Sequence, residues 1–204
     1  MKKLISLVAF CFSMLAMNAQ LPTALGDLAL GNSITSVEEM LNAKGLEKVK
    51  PGYLRESTYV NYCQVVMPEG GDMIQVSFPL SDLYVYAGEK WQYVDLFFFQ
   101  GKLFKVVLKK GGWLEGGGSA STIMDCQNTL KTLEKNMNSK YAKYRKDSND
   151  GRTESGEGRF VSNYNDGKNS ISIEYAYYEY EEVSVYVKLF DAALDKKVFP
   201  DNYE

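Results

Sequence analysis

The chain of 204 residues contains no histidine. This absence excludes a Ser-His-Asp triad, a Cys-His pair, an imidazole general base and a histidine-ligated zinc site. The serine-hydrolase sequence G-x-S-x-G and the Ser-Lys sequence S-x-x-K are also missing after residue 19. Any catalysis by this chain would therefore use side chains of Asp, Glu, Tyr, Lys or Ser. We expect no metal ion and no cofactor.

Apolar runs are short, and the most apolar one lies at the N-terminus. Lys2 and Lys3 precede an apolar run over residues 4–16, and Met17, Asn18 and Ala19 follow it. This order is typical of a secretory signal peptide. A run of about 13 residues is also too short for a membrane-spanning helix, which needs about 20. We therefore predict that residues 1–19 are a signal peptide cleaved after Ala19. The protein would be exported to the periplasm or the extracellular space without an integral membrane span.

Basic residues are too few for a nucleic-acid binder. Removing Lys2 and Lys3 leaves 23 − 2 = 21 basic residues against 26 acidic ones, a formal charge of −5. No run of four basic residues follows, so we exclude nucleic acid as a partner. The oligomeric state is not readable from these features.

Cysteine is also scarce, and only Cys63 and Cys126 lie outside the predicted signal peptide. The compartment beyond an export signal permits disulfides. A disulfide between Cys63 and Cys126 is one prediction, and two separate buried thiols are the alternative.

The sequence of the first half of the chain predicts one helix followed by strands. Thr35 to Glu38 has the form of a capping box, and Gly45 is placed to end the helix. Runs rich in Tyr, Val and Phe then predict strands. These runs are Tyr59 to Met67, Met73 to Phe78, Leu83 to Ala87, Trp91 to Phe99 and Leu103 to Lys110.

The second half repeats this order after a glycine-rich segment at 111–120, which we interpret as a linker. An apolar stripe that includes Cys126 and Leu130 predicts a long helix beginning near Ser121 or Thr122. The polar stretch 146–158 reads as a mobile loop. Strands are then predicted at Arg159 to Tyr164, Ser170 to Tyr178 and Val183 to Phe190.

An ungapped offset of 86 residues aligns the two halves. It places Val37 on Ile123 and Phe104 on Phe190. The interpretation is an α+β chain of two tandem modules, residues 28–110 and 117–195, each a helix packed on an antiparallel β-sheet. Chance similarity is the alternative, because the intervening strands match poorly.

The segment from Leu28 to Leu41, with the strand end and hairpin from Phe97 to Phe104, resembles the β-lactamase-inhibitor-protein-like group. That group includes small lipoproteins of the outer-membrane assembly machinery. The resemblance implies a secreted, non-catalytic protein-binding module. It covers about two thirds of the chain, and no inhibitory loop can be carried over residue by residue.

Aromatic residues are the most suggestive candidates for a binding surface, since they bury large area at low entropic cost. Strand alternation places Tyr175 and Tyr177 on one face and Tyr178 on the other. Core packing is the alternative use of these rings. The predicted binding residues are Tyr175, Tyr177, Tyr178, Tyr180, Tyr186, Trp91 and Tyr93.

Three function classes stay open. The first is an exported binding or inhibitory module that recognises a protein, peptide or glycan. The second is a small secreted hydrolase that uses carboxylates, for which Asp95 and Glu174 are candidates because each lies within an apolar strand sequence. Surface pairing is the alternative for both carboxylates, and a structural role in the cell envelope is a third class.

Overall fold

The computed structural model describes residues 20–46, 63–66, 72–113, 120–179 and 181–203. The strands are β1 (Ala24–Leu25), β2 (Leu28–Ala29), β3 (Cys63–Val66), β4 (Asp72–Tyr86), β5 (Glu89–Phe99), β6 (Lys102–Trp113), β7 (Arg145–Asp150), β8 (Gly158–Asn165), β9 (Asn169–Tyr178) and β10 (Glu182–Asp191). The helices are α1 (Ile34–Ala43), α2 (Ala120–Tyr141) and α3 (Ala192–Val198), with 3-10 turns at Ala142–Tyr144 and Pro200–Tyr203.

In this part of the chain, eight strands form one antiparallel sheet in the order β3-β4-β5-β6-β10-β9-β8-β7. Successive hairpins build each side, and β6 pairs with β10 at the centre from Lys105↔Phe190 to Trp113↔Glu182. The prediction of two tandem helix-on-sheet modules at 28–110 and 117–195 is therefore wrong. The strands of both segments share one sheet, and backbone hydrogen bonds cross the proposed boundary.

One hydrophobic core follows the same face of this sheet from side to side. Leu96 and Val106 belong to the same buried cluster as Val185 and Ile173. Helix α2 covers this face by packing on β9, β10 and β6. A single continuous core is a second reason why the chain is not two independent units.

The 86-residue offset also fails in detail. Phe104 is the third residue of β6 (Lys102–Trp113), whereas Phe190 is the ninth residue of β10 (Glu182–Asp191). Phe104 pairs near the start of its strand and Phe190 near the end of its own. The alignment therefore matched similar strand sequences at non-equivalent positions.

The opposite face of the sheet is covered at one end by α3, which the sequence analysis did not predict. Asp191 caps this helix by accepting hydrogen bonds from the backbone N–H groups of Ala193 and Leu194. Val198 then packs with Phe99 and Phe104 in a small second core. The short helix therefore buries strand residues that would otherwise be exposed on this face.

The predicted end of α1 and the predicted turn between β5 and β6 are confirmed, whereas the cap of α1 lies at a different residue. Gly45 follows α1 with φ +75°, and Gln100 and Gly101 both have positive φ in the turn between β5 and β6. The cap of α1 is Ser33 rather than Thr35, because the Ser33 hydroxyl accepts from the N–H of Ser36.

The predicted linker and the predicted mobile loop are both partly strand. Gly111 and Gly112 continue β6, and residues 114–119 lie outside the described residues. Residues 145–150 of the polar stretch form the edge strand β7, so the predicted loop shortens to 151–157. Polar composition suits an edge strand, because its side chains are exposed and no other strand of the described residues pairs with its outer edge.

Gly111 shows why glycine occurs inside a strand here. Its φ is +89°, and a Cβ at this position would lie 2.1 Å from the carbonyl oxygen of Val183 and 3.0 Å from Sγ of Cys126. Its N–H donates to Oε1 of Gln92 at 2.8 Å. A side chain would therefore force β6 away from both β10 and α2.

Candidate functional site on the open face of the sheet

The sheet face opposite α2, beyond the end that α3 covers, carries polar and aromatic side chains. We call it the open face, and its principal residues are Tyr93, Asp95, Arg159, Glu174, Tyr178, Glu182, Tyr186, Lys109 and Lys188. Strand alternation places these residues there, because their neighbours Val94, Leu108 and Val185 point into the core. At one side of the sheet, Leu83 and Val85 are 56% and 57% exposed and flank the buried Tyr84.

A row of four residues crosses the middle of the open face. Tyr93 lies opposite Lys109, Lys109 opposite Tyr186, and Tyr186 opposite Glu174. Directly opposed side chains on antiparallel strands lie about 5 Å apart at Cβ and interact. The Nζ of Lys109 is 5.3 Å from the ring centroid of Tyr186, and the Nζ of Lys188 is 5.7 Å from the same centroid.

Glu182 completes the contacts around Tyr186. The Tyr186 hydroxyl donates to Oε1 of Glu182 at 2.8 Å, and Nζ of Lys109 lies 3.6 Å from that oxygen. Burial alone would lower the pKa of Lys109, but Tyr186 and Glu182 more than offset it, so the pKa is raised. Burial raises the pKa of Tyr186. The lysine is therefore charged and the phenol neutral at physiological pH.

Glu174 sits in a second polar cluster on the same face. Its carboxylate lies 2.7 Å from Nζ of Lys188 and 3.2 Å from Nη2 of Arg159, and it accepts a hydrogen bond from the Ser172 hydroxyl at 3.1 Å. Burial alone would raise the pKa of Glu174, but Lys188 and Arg159 reverse this effect and the pKa is lowered. Glu174 is therefore an ionised carboxylate held between two cations.

Asp95 differs from Glu174 because no cation of the described residues forms an ion pair with it. Burial raises the pKa of Asp95, and the hydrogen bond from the Ser77 hydroxyl and the charge of Lys109 only partly oppose that rise. A carboxyl in this setting favours its protonated form more than a surface carboxyl does.

The structure does not bring the two candidate carboxylates together. Glu174 lies in the same row as Tyr93, three strands away, and Asp95 lies two residues further along its strand than Tyr93. With about 4.8 Å between strands and about 3.3 Å per residue, Asp95 and Glu174 are about 16 Å apart. A glycosidase needs its carboxylates within roughly 5 to 10 Å, so this pair does not form such a site.

The predicted aromatic residues divide between the two faces. Tyr93, Tyr178 and Tyr186 lie on the open face, and Tyr178 is 40% exposed. Trp91 and Tyr175 are fully buried in the core, and Tyr177 is partly buried against that core, so none of these three lies on the open face. Tyr180 lies outside the described residues.

The predicted disulfide is not formed in the structure. Cys126 is a free, buried thiol whose Sγ lies 3.9 Å from the carbonyl oxygen of Lys110 in β6. Cys63 lies on β3, and its register partner is Gln75 on β4. Three strand spacings separate β3 from β6, which amounts to about 14 Å. A disulfide needs Cα atoms within about 7 Å.

The cations of the open face were not among the binding residues predicted from the sequence. The signal was present, because Lys109 and Lys188 each alternate with core residues such as Leu108 and Val187. Period-two alternation alone would have placed both lysines opposite the core. Lys188 lies two residues from Tyr186 on the same strand, whereas the closeness of Lys109 to Tyr186 depends on the pairing of β6 with β10, which local sequence does not encode.

No protein-family model matches the chain, and neither a curated protein nor a solved structure matches it. None of the helices in the described ranges is both long and apolar enough to cross a membrane. Within the same ranges, no group of three metal-ligating side chains is placed to hold an ion. The interpretation of function therefore depends on the open face itself.

Proposed function

We propose that the chain is an exported, non-catalytic binding module whose open face recognises a protein. The observation that carries the proposal is the row Tyr93–Lys109–Tyr186–Glu174, which displays aromatic and charged side chains on a sheet face that α2 leaves uncovered. The resemblance of the sequence to the β-lactamase-inhibitor-protein-like group favours the same class.

The contacts within the row favour a protein over a glycan. Sugars bind aromatic side chains by stacking on an accessible ring face. The Tyr186 ring already has the Nζ atoms of Lys109 and Lys188 above it, and its hydroxyl is bonded to Glu182. What remains accessible is a set of charges of both signs, which suits the polar surface of a folded partner.

The surface is also pre-organised. The Glu174 carboxylate is fixed by Lys188, Arg159 and Ser172, so these side chains lose little conformational freedom when a partner binds. Leu83 and Val85 add exposed apolar area at one side. A surface that combines polar and apolar area is typical of the interfaces of non-obligate complexes.

The test uses two variants of exposed open-face residues. The Arg159 side chain is 61% exposed and Tyr178 is 40% exposed, so Arg159→Glu and Tyr178→Ser leave the core intact. The wild-type protein is immobilised and proteins are captured from an extract of the producing organism. A captured protein is then purified, and its Kd for each variant is measured by calorimetry.

The matched control is Lys131→Glu on the exposed side of α2, which carries the same charge change as Arg159→Glu on the opposite face. We expect each open-face variant to weaken binding about tenfold, equivalent to about 1.4 kcal/mol, with the control unchanged. Equal binding by all four proteins would overturn the proposal, as would retention of polysaccharide but of no protein.

A further inference from the structure

Gln20 lies at the edge of a small polar cleft of about 190 Å³, which it lines together with Asp166 and Lys168. It is exposed, whereas the next residue, Leu21, is buried in the main core. The N–H of Leu21 donates to Oδ2 of Asp166 at 3.3 Å. The folded chain is therefore fixed at Leu21, and Gln20 is the first residue outside that attachment.

The opposite carboxylate oxygen holds the turn that forms the cleft. Oδ1 of Asp166 accepts from the backbone N–H groups of Lys168 and Asn169 at 3.0 and 2.8 Å. A single side chain thus connects the N-terminal segment to the β8–β9 turn. Leu21 is held by its buried side chain and by the hydrogen bond from its N–H to Asp166, and neither contact uses a side-chain atom of Gln20.

We propose that Gln20 becomes the N-terminal residue of the exported protein and cyclises to pyroglutamate. The inference rests on the proposed export, because cleavage after Ala19 is what gives Gln20 a free α-amine. In the reaction the amine nitrogen attacks Cδ of the same side chain and a C–N bond forms. The bond from Cδ to Nε2 breaks and ammonia leaves. No oxidant or other reactant is consumed.

Physical chemistry favours this ring closure. The α-amine of a chain has a pKa of about 7.7 to 8.0, so an appreciable fraction is the neutral nucleophile at physiological pH. The amine and Cδ belong to one residue, and closing a five-membered ring gives a high effective concentration. The exposed position of Gln20 means that only its own atoms move, so the folded protein can react.

Cyclisation changes the charge of the N-terminus. It removes the positive charge of the α-amine beside a cleft that Asp166 and Lys168 both line. The lactam is also resistant to ordinary aminopeptidases, which require a free α-amine. The chain would then begin with a neutral, blocked residue directly before the buried Leu21.

The test is the N-terminal mass of the exported protein, produced from the full chain with residues 1–19 intact. The protein is purified from the exported fraction, incubated at 37 °C and digested, and the N-terminal peptide is sequenced by mass spectrometry. We expect a peptide that begins at residue 20 and is lighter by about 17 Da, the mass of ammonia, than the unmodified form.

The matched control is Gln20→Asn, whose shorter side chain would need a strained four-membered ring. We expect its N-terminal peptide to keep a free amine that reacts with an amine-labelling reagent. A wild-type peptide that begins at Gln20 with a free amine would overturn the cyclisation while leaving export intact. A chain that still carries residues 1–19, or begins at another residue, would overturn both.

Discussion

Lys105 of β6 and Asp195 of α3 form an ion pair with 2.8 Å between Nζ and Oδ1. The side chains are only 13% and 5% exposed, so the pair lies inside the contact between sheet and helix. The Nζ of Lys105 also lies within 5.5 Å of the ring centroids of Phe97, Phe190 and Phe199. This cluster attaches α3 to the sheet.

We expect Asp195→Ala to lower the free energy of unfolding by about 2 to 3 kcal/mol. The change leaves the Lys105 ammonium without its carboxylate in a mostly buried place, and breaking such a pair from one side is strongly destabilising. Urea denaturation followed by circular dichroism measures the loss, with the exposed Asp201→Ala as the control.

The double variant Lys105→Met with Asp195→Leu separates charge from packing. Replacing both members of a buried ion pair with apolar side chains is often neutral. We therefore expect the double variant to recover most of the stability that Asp195→Ala loses. A double variant as unstable as the single one would show that the charges themselves are required.

We expect Gly111→Ala to destabilise the protein by about 2 kcal/mol or more, because the new Cβ would meet the Val183 carbonyl oxygen and the positive φ would strain the backbone. Gly112→Ala is the matched control, since a Cβ there would have no atom of the described residues within 4 Å apart from its chain neighbours. Thermal denaturation of both variants gives the comparison. Equal midpoints would contradict the close approach of β6 and β10 at this position.

We expect Cys126 to resist iodoacetamide in the folded protein at pH 8. Burial, followed by the negative charge of Asp125, raises the pKa of the thiol to about 11, and Lys110 opposes this only in part. Mass spectrometry should find Cys126 unmodified in folded protein. After denaturation without reductant, both Cys63 and Cys126 should be alkylated, and the absence of alkylation would instead support a disulfide between them.

We expect Asp95→Asn to reduce the pH dependence of stability. The pKa of Asp95 is raised by burial, so its stabilising contribution is complete below the unfolded-state pKa and is lost as pH rises through the folded-state pKa. Asparagine stays neutral and can still accept from Ser77. Urea denaturation should show that the variant gains more free energy of unfolding, relative to the wild type, at pH 7 than at pH 4. A larger gain at pH 4 would contradict this prediction.

Alternation of side chains predicted much of the sheet. Ile171 and Ile173 are in the core and Glu174 is on the other face, as the period of two requires. Alternation failed at Trp91, which has the same parity as Tyr93 and yet is fully buried. The pairing of β4 with β5 shifts register between Pro79 and Tyr84, close to Trp91. Such an irregularity has no local sequence signature that the pattern reveals.

The pairing of β6 with β10 was the main feature that could not be predicted from the sequence. Lys109 and Tyr186 face each other across 77 positions of chain, and nothing near either residue specifies the other. The arrangement of the candidate site could not be predicted in full for the same reason. Its tyrosines were identified from crowding alone, while the contact of Lys109 with Tyr186 depends on a strand pairing that only the three-dimensional structure supplies.

The placement of β6 beside β10 also has a consequence for the order of folding. The hairpins on either side of this pair close short loops, such as Gln100-Gly101, at small entropic cost. The pairing from Lys105↔Phe190 to Trp113↔Glu182 must instead close a loop of roughly 70 residues or more. Non-local contacts slow folding because their entropy is lost before their contacts form. The central strand pair is therefore expected to form last, and substitutions there that spare the hairpins should mainly accelerate unfolding.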